Sequence, residues 1–192
     1  MKSLIAGVCL VAGALTAQAN YDIGFQTYDV ADLSQHIAFD SDGTTRLTGP
    51  AFLGQVYVGA TAGSLSPIGS PVAFASAGSV AEGFIDSGTI TVTDATLNAG
   101  SSAFYQLRAW NASAGATFEA ASLVAGAHVG QSAATAITLG GTVPGNPPQL
   151  LTATANLHPS FTLSVVPAVI PEPSVLALGL LGGAALMFRR RK

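Results

Sequence analysis

Few side chains in this sequence can do chemistry. Its 192 residues include seven Lys or Arg, ten Asp or Glu and three His. Asp40-x-Asp42-Gly43 has the opening acids of a calcium loop. An EF-hand loop also needs an oxygen donor at its fifth position and a bidentate acid at its twelfth. Those positions hold Thr44 and Ala51. Asp40 and Asp42 are therefore read as acids of a plain turn, with a weak calcium site of another type as the alternative. His36, His128 and His158 stand apart. None is paired at i, i+2 or i, i+4, the spacing of a compact zinc site. Serine is abundant, but no G-x-S-x-G elbow presents one as a nucleophile. Glu82, Asp86 and Glu119 make a glycosidase-type carboxylate pair only if folding brings two of them together. No enzymatic activity, cofactor or metal is expected; a secreted hydrolase is the enzymatic alternative.

Aromatic residues offer a second kind of chemistry. Phe104, Tyr105 and Trp110 lie close in sequence, and such rings can stack on a sugar. Trp110 is the only tryptophan, so packing in the core or between sheets is the plainer reading.

The elements that would carry these residues read as strands. Apolar residues alternate with polar ones over short stretches bounded by Gly, Pro, Ser and Asp. In "TITVTDA" from Thr89, Ile90 and Val92 point one way and the three threonines the other. In "AFYQLRAW" from Ala103, Tyr105 and Leu107 share one face. Phe104, Gln106, Arg108 and Trp110 share the opposite one. "FLGQVYVGA" from Phe52, "PVAFA" from Pro71, "AITLGG" from Ala136 and "FTLSVV" from Phe161 are further predicted strands. Asp40–Gly43 and Thr48–Pro50 are predicted turns. Phe118 to Ala127 is predicted as a short helix. Val143 to Leu151, with three prolines, is predicted as a rigid loop. This pattern implies an all-β body, an antiparallel sandwich or jelly roll.

The two ends differ from that body. Lys2, an apolar stretch from Leu4 to Leu15 and Ala17-Gln18-Ala19 form a secretory signal, with cleavage between Ala19 and Asn20. The sole cysteine, Cys9, lies inside it. The exported chain would then hold no disulfide and no thiol chemistry. At the other end stand Pro171-Glu172-Pro173, an apolar run from Val175 to Phe188, and Arg189-Arg190-Arg191-Lys192. A helix over that run is about 21 Å long against a hydrocarbon core of about 30 Å. Four adjacent cations are a poor end for a buried helix but suit the cytoplasmic edge of a membrane segment. Gly179, Gly182 and Gly183 also suit a membrane helix better than a water-soluble one. Snorkelling arginines extend the effective span.

"PEPSVLALGLLGGAALMFRRRK" resembles the C-terminal sorting signal of PEP-CTERM proteins. These are exported proteins of Gram-negative bacteria that make exopolysaccharide. The resemblance covers about the last two dozen residues, and its three parts occur in order. It implies an exosortase-type membrane enzyme that reads Pro171, Glu172 and Pro173 and cuts near them. Arg189, Arg190, Arg191 and Lys192 are by the same resemblance the basic stop-transfer tail. The segment Ser102–Ala121 also resembles part of some PEP-CTERM bodies, in which R-A-W precedes a small-residue turn and an aromatic–acidic pair. An ion pair between Arg108 and Glu119 across that turn is expected.

The expected organisation is a signal peptide over 1–19, a β-sandwich body over 20–165 and a sorting segment over 166–192. The last contains a single transmembrane helix over 175–188 and the basic tail 189–192. Between the two ends lie two arginines and nine acids, a net charge of −7, although the whole chain is only −3. That excludes nucleic acid as a partner of the body. The expected partners are signal peptidase, an exosortase-like enzyme, the inner membrane for a time, and exopolysaccharide. The expected role is structural or adhesive at the cell surface or in a biofilm matrix. A carbohydrate-binding module of the same fold is the alternative.

Overall fold

The computed structural model of the chain describes residues 19–27, 37–94, 96–141, 147–151 and 159–168. The described chain is all-β apart from one short helix and one 3-10 turn. Its strands are β1 (Ala19–Gln26), β2 (Ala38–Phe39), β3 (Phe52–Gly59), β4 (Ser66–Ala73), β5 (Asp86–Asp94) and β6 (Ser102–Asn111). The helix α1 (Phe118–Ala121) follows. Then come β7 (His128–Gln131), β8 (Thr135–Thr138), β9 (Gln149–Leu150), β10 (Phe161–Thr162) and β11 (Ser164–Val165).

The larger sheet is built on β6. On one side β3 pairs antiparallel with it from Phe52↔Asn111 to Gly59↔Phe104. On its other side β7 takes Arg108 to Trp110 and β8 takes Ser102 to Tyr105. The order β11-β7-β6-β3-β4 completes the sheet. A smaller sheet has the order β5-β1-β9. Strands β2 and β10 form a separate pair.

The pleat decides which residues enter the core, because successive side chains leave a strand on opposite faces. Tyr21, Ile23 and Phe25 of β1 join Ala103, Tyr105, Leu107 and Ala109 of β6 in one buried cluster. Val56, Val58, Ile68, Ala38 and Phe161 belong to the same cluster, so strands of every sheet meet there. Ile90 and Val92 pack against it, while Thr89, Thr91 and Thr93 are exposed. The alternation predicted for both "TITVTDA" and "AFYQLRAW" is thus the one observed.

Several expectations are corrected. The helix predicted for Phe118 to Ala127 stops at Ala121, because the chain must turn back to pair with β6 as β7 from His128. Gly126, with φ +79°, makes that turn in a region other residues seldom adopt. The strand expected from Pro71 begins at Ser66 and ends at Ala73. "FTLSVV" divides into two two-residue strands, since Phe161 and Thr162 pair with β2 whereas Ser164 and Val165 pair with β7. Gln149 and Leu150, predicted as loop, form β9 beside β1. The pairings β1–β9 and β2–β10 are parallel, so the fold is not purely antiparallel. The first strand, β1, escaped prediction although Tyr21, Ile23 and Phe25 alternate. Among the described residues no helix is long and apolar enough to cross a membrane. Residues 1–18 of the expected signal over 1–19, and residues 169–192 of the expected sorting segment over 166–192, lie outside the described residues.

Candidate functional site

The densest polar and aromatic cluster lies on the face of the larger sheet opposite the shared core. β6 presents Gln106, Arg108 and Trp110 there, and β3 places Tyr57 opposite Gln106. Arg108 Nε donates to Gln106 Oε1 at 2.9 Å, and its Nη1 donates to Glu119 Oε1 at 3.2 Å. Its guanidinium lies 4.0 Å from the Tyr57 ring centre and 5.1 Å from that of Phe118. A cation over an aromatic face is attracted by the ring quadrupole, here from two rings. The expected Arg108–Glu119 ion pair is therefore present, but as one part of a larger network.

Tyr57 completes it. Its hydroxyl donates to Glu119, 2.8 Å from Oε1 and 3.0 Å from Oε2. Burial, then the hydrogen bond to Glu119 and its negative charge, push the phenol pKa well above the ordinary value. Tyr57 thus stays protonated and is a hydrogen-bond donor, not a base. α1 delivers Phe118 and Glu119 to this face. Thr117 caps it by accepting from the Ala120 N–H at 3.2 Å. Phe118 meets both Tyr57 and Trp110 edge-on, at 6.5 and 6.3 Å. Trp110 is fully buried and its indole N–H donates to Gly115 O at 2.8 Å.

That burial corrects the sugar-platform reading. Trp110 and Tyr105 have no exposed face for a sugar, and they lie on opposite sides of the sheet. The plainer reading, packing, applies to both. Chemically the cluster is a clamp: every charged group in it is met by a partner, and it ties α1 to β3 and β6.

A second pair joins distant residues. His128 Nδ1 and Asp40 Oδ1 are hydrogen-bonded although 88 positions apart. Asp40 directly follows β2 and His128 opens β7; β10 pairs with β2 and β11 with β7. An imidazole held by a carboxylate is two-thirds of a hydrolytic triad. In this fold the pair ties the chain just after β2 to the start of β7.

Asp42 stays within its own turn. Its Oδ1 accepts from the N–H groups of Thr44 and Thr45 at 2.9 and 2.8 Å, and its Oδ2 from the Thr45 hydroxyl. These bonds, the Thr45 hydroxyl foremost, hold its carboxyl well below the usual range. Gly43 closes the turn with φ +69° and an N–H bond to Asp40 O. Thus the turn satisfies the acids that a calcium ion would need. Among the described residues no three His, Cys, Asp or Glu side chains gather as a metal ion requires.

Of the proposed carboxylate pair, Glu119 belongs to the clamp. Glu82 Oε2 accepts from the Gly78 N–H at 2.9 Å. The two share no partner. Asp22, not singled out from sequence, is 2% exposed, and among the described residues its Oδ1 has no hydrogen-bond partner. His36, His158, Pro171, Glu172, Pro173 and Arg189 to Lys192 lie outside the described residues. Sequence reasoning missed Tyr57 in the clamp and the Asp40–His128 link, because each depends on strand pairing that no local spacing encodes.

Compared with protein-family models, curated proteins and solved structures, the chain finds no match.

Proposed function

We propose that this is an exported, non-enzymatic protein of the cell surface or extracellular matrix, processed by an exosortase-type membrane enzyme. One observation carries the reading: Pro171-Glu172-Pro173, the apolar run 175–188 and Arg189-Arg190-Arg191-Lys192 occur in that order at the chain end. The short apolar run suits a temporary anchor, and the cations set which side of the inner membrane the end occupies. β1 starts at Ala19, so cleavage after Ala19 would release a body whose first residue is already in a strand. The body reads as a sandwich around the shared core. Its most reactive side chains are committed to one another, which favours a structural or adhesive role beside exopolysaccharide over catalysis.

Mass spectrometry of the exported protein tests the reading. The chain should begin at Asn20 and carry nothing beyond the Pro-Glu-Pro region. Recovery of an intact Arg-Arg-Arg-Lys tail from the extracellular fraction would refute processing. Glu172→Ala should leave the protein in the membrane fraction.

A further inference from the structure

Long sheet edges expose unpaired N–H and C=O groups, and proteins ordinarily blunt them with proline, lysine, bulges or short length. The edges of this fold are treated unequally. β4, at one edge of the larger sheet, carries Pro67 and Pro71 and is bent by Gly69 at φ +60°. β11, at the other edge, and β9, at one edge of the smaller sheet, have two residues each. β5 is different. It is nine residues long and forms the other edge of the smaller sheet; it is bulged only at its start, where Gly88 has φ +74°, and its regular stretch Thr89–Asp94 holds no proline and no lysine. Its backbone pairs with β1 in regular register from Thr89 to Asp94 and again, past the bulge, at Asp86. Among the described residues nothing pairs with its outer edge. Ser87, Gly88, Thr89, Thr91 and Thr93 are exposed.

We propose that β5 is a self-association edge, pairing antiparallel with β5 of a second copy of this chain about a two-fold axis at Thr91. The sequence of the edge selects that occupant and register. With Thr91 opposite itself, Thr89 faces Thr93 and Ile90 faces Val92. Threonine pairs and β-branched apolar pairs are both favourable across an antiparallel ladder. Centring the axis on Ile90 instead would set Val92 against Gly88, which lies in the bulged start of the strand, and so break the ladder on both sides of the axis. The two small sheets then join into one continuous sheet, with the threonines on its outer face. A two-fold contact of this kind is self-complementary and closes at the dimer. The inference does not depend on the export reading.

Thiol cross-linking of the full chain in mild detergent, on a Cys9→Ala background, tests it. Thr91→Cys should cross-link to a dimer at least about tenfold faster than Ser66→Cys on the proline-blocked β4 edge. Thr89→Cys alone should stay monomeric, whereas Thr89→Cys with Thr93→Cys should cross-link. Equal rates at positions 66 and 91, or no dimer from Thr91→Cys, would overturn the proposal. Amide exchange on the unsubstituted chain guards against a folding defect in the variants. Alternate amides of 89–93 should gain protection as protein concentration rises, and unchanged protection there would also overturn it.

Discussion

Arg108 shows how one charged side chain is made compatible with a mostly apolar protein. It lies between two rings, with Gln106 and Glu119 accepting its N–H bonds. Glu119 is more than half exposed, so the direct ion pair contributes little. A double-mutant cycle of Arg108→Ala and Glu119→Ala should return a coupling below about 1 kcal/mol. Arg108→Ala alone should cost more, about 1–3 kcal/mol by urea unfolding, because ring stacking and the Gln106 bond go as well. Tyr57 gives a pH signature. Its folded pKa is raised, so its contribution is intact below the phenol's ordinary value of about 10. Above that pH the unfolded chain ionises first, and stability falls as pH rises further. Tyr57→Phe should flatten this alkaline decline in thermal unfolding. Trp110, the only tryptophan, should emit at short wavelength and resist iodide quenching in the folded chain. Emission at the wavelength of exposed tryptophan would contradict its burial.

At the scale of elements, the C-terminal strands decide how the chain closes. Residues 161–166 are held between β2 and β7: Leu163 N–H bonds Phe39 O at 2.9 Å and Val166 N–H bonds Ala127 O at 2.7 Å. The contact with β7 is close enough to need a glycine. A Cβ on Gly130 would lie 2.9 Å from Leu163 Cα and 3.0 Å from Thr162 O. Gly130→Ala should therefore push this strand outward, costing about 1–3 kcal/mol as an overpacked contact. Amide exchange should speed up at Leu163 and Val166 before it does in β6. Much at this scale was legible. The pleat period marked β3, β5 and β6 and the correct inward faces of β5 and β6, since alternation is a property of the local backbone. The two-residue strands β2 and β9 carry too few residues for any period, and tertiary contacts alone make them strands, whereas β10 and β11 were legible as one strand from Phe161 that only their different partners divide. β7 was concealed because "EAASLVAGAHVG" is rich in residues that favour helix, and pairing with β6 overrode that preference.

For the whole molecule, charge is distributed by segment. Five of the seven cations sit at Lys2 and Arg189 to Lys192, so a chain trimmed at both ends carries −7 across its body. Copies of such a body repel one another at low ionic strength. Added salt should therefore strengthen association through β5 as screening shortens the repulsion. Sedimentation at low and physiological salt would reveal the shift, and salt-weakened association would contradict it.

Sequence alone was enough to show an acidic, all-β body, most of its long strands, the faces those strands bury and the Asp40–Gly43 turn. These depend on side-chain alternation, turn chemistry and charge, all of which act over a few residues. It was also enough to raise the expectation of an ion pair between Arg108 and Glu119. Only the tertiary structure decided that Tyr57 and Phe118 enclose that pair, that Asp40 reaches His128, that β9 and β10 run parallel to their partners and that no other described strand pairs with the outer edge of β5. Such contacts join residues tens of positions apart. Their formation is set by loop closure and by which strand faces must share a core, and no local pattern records either.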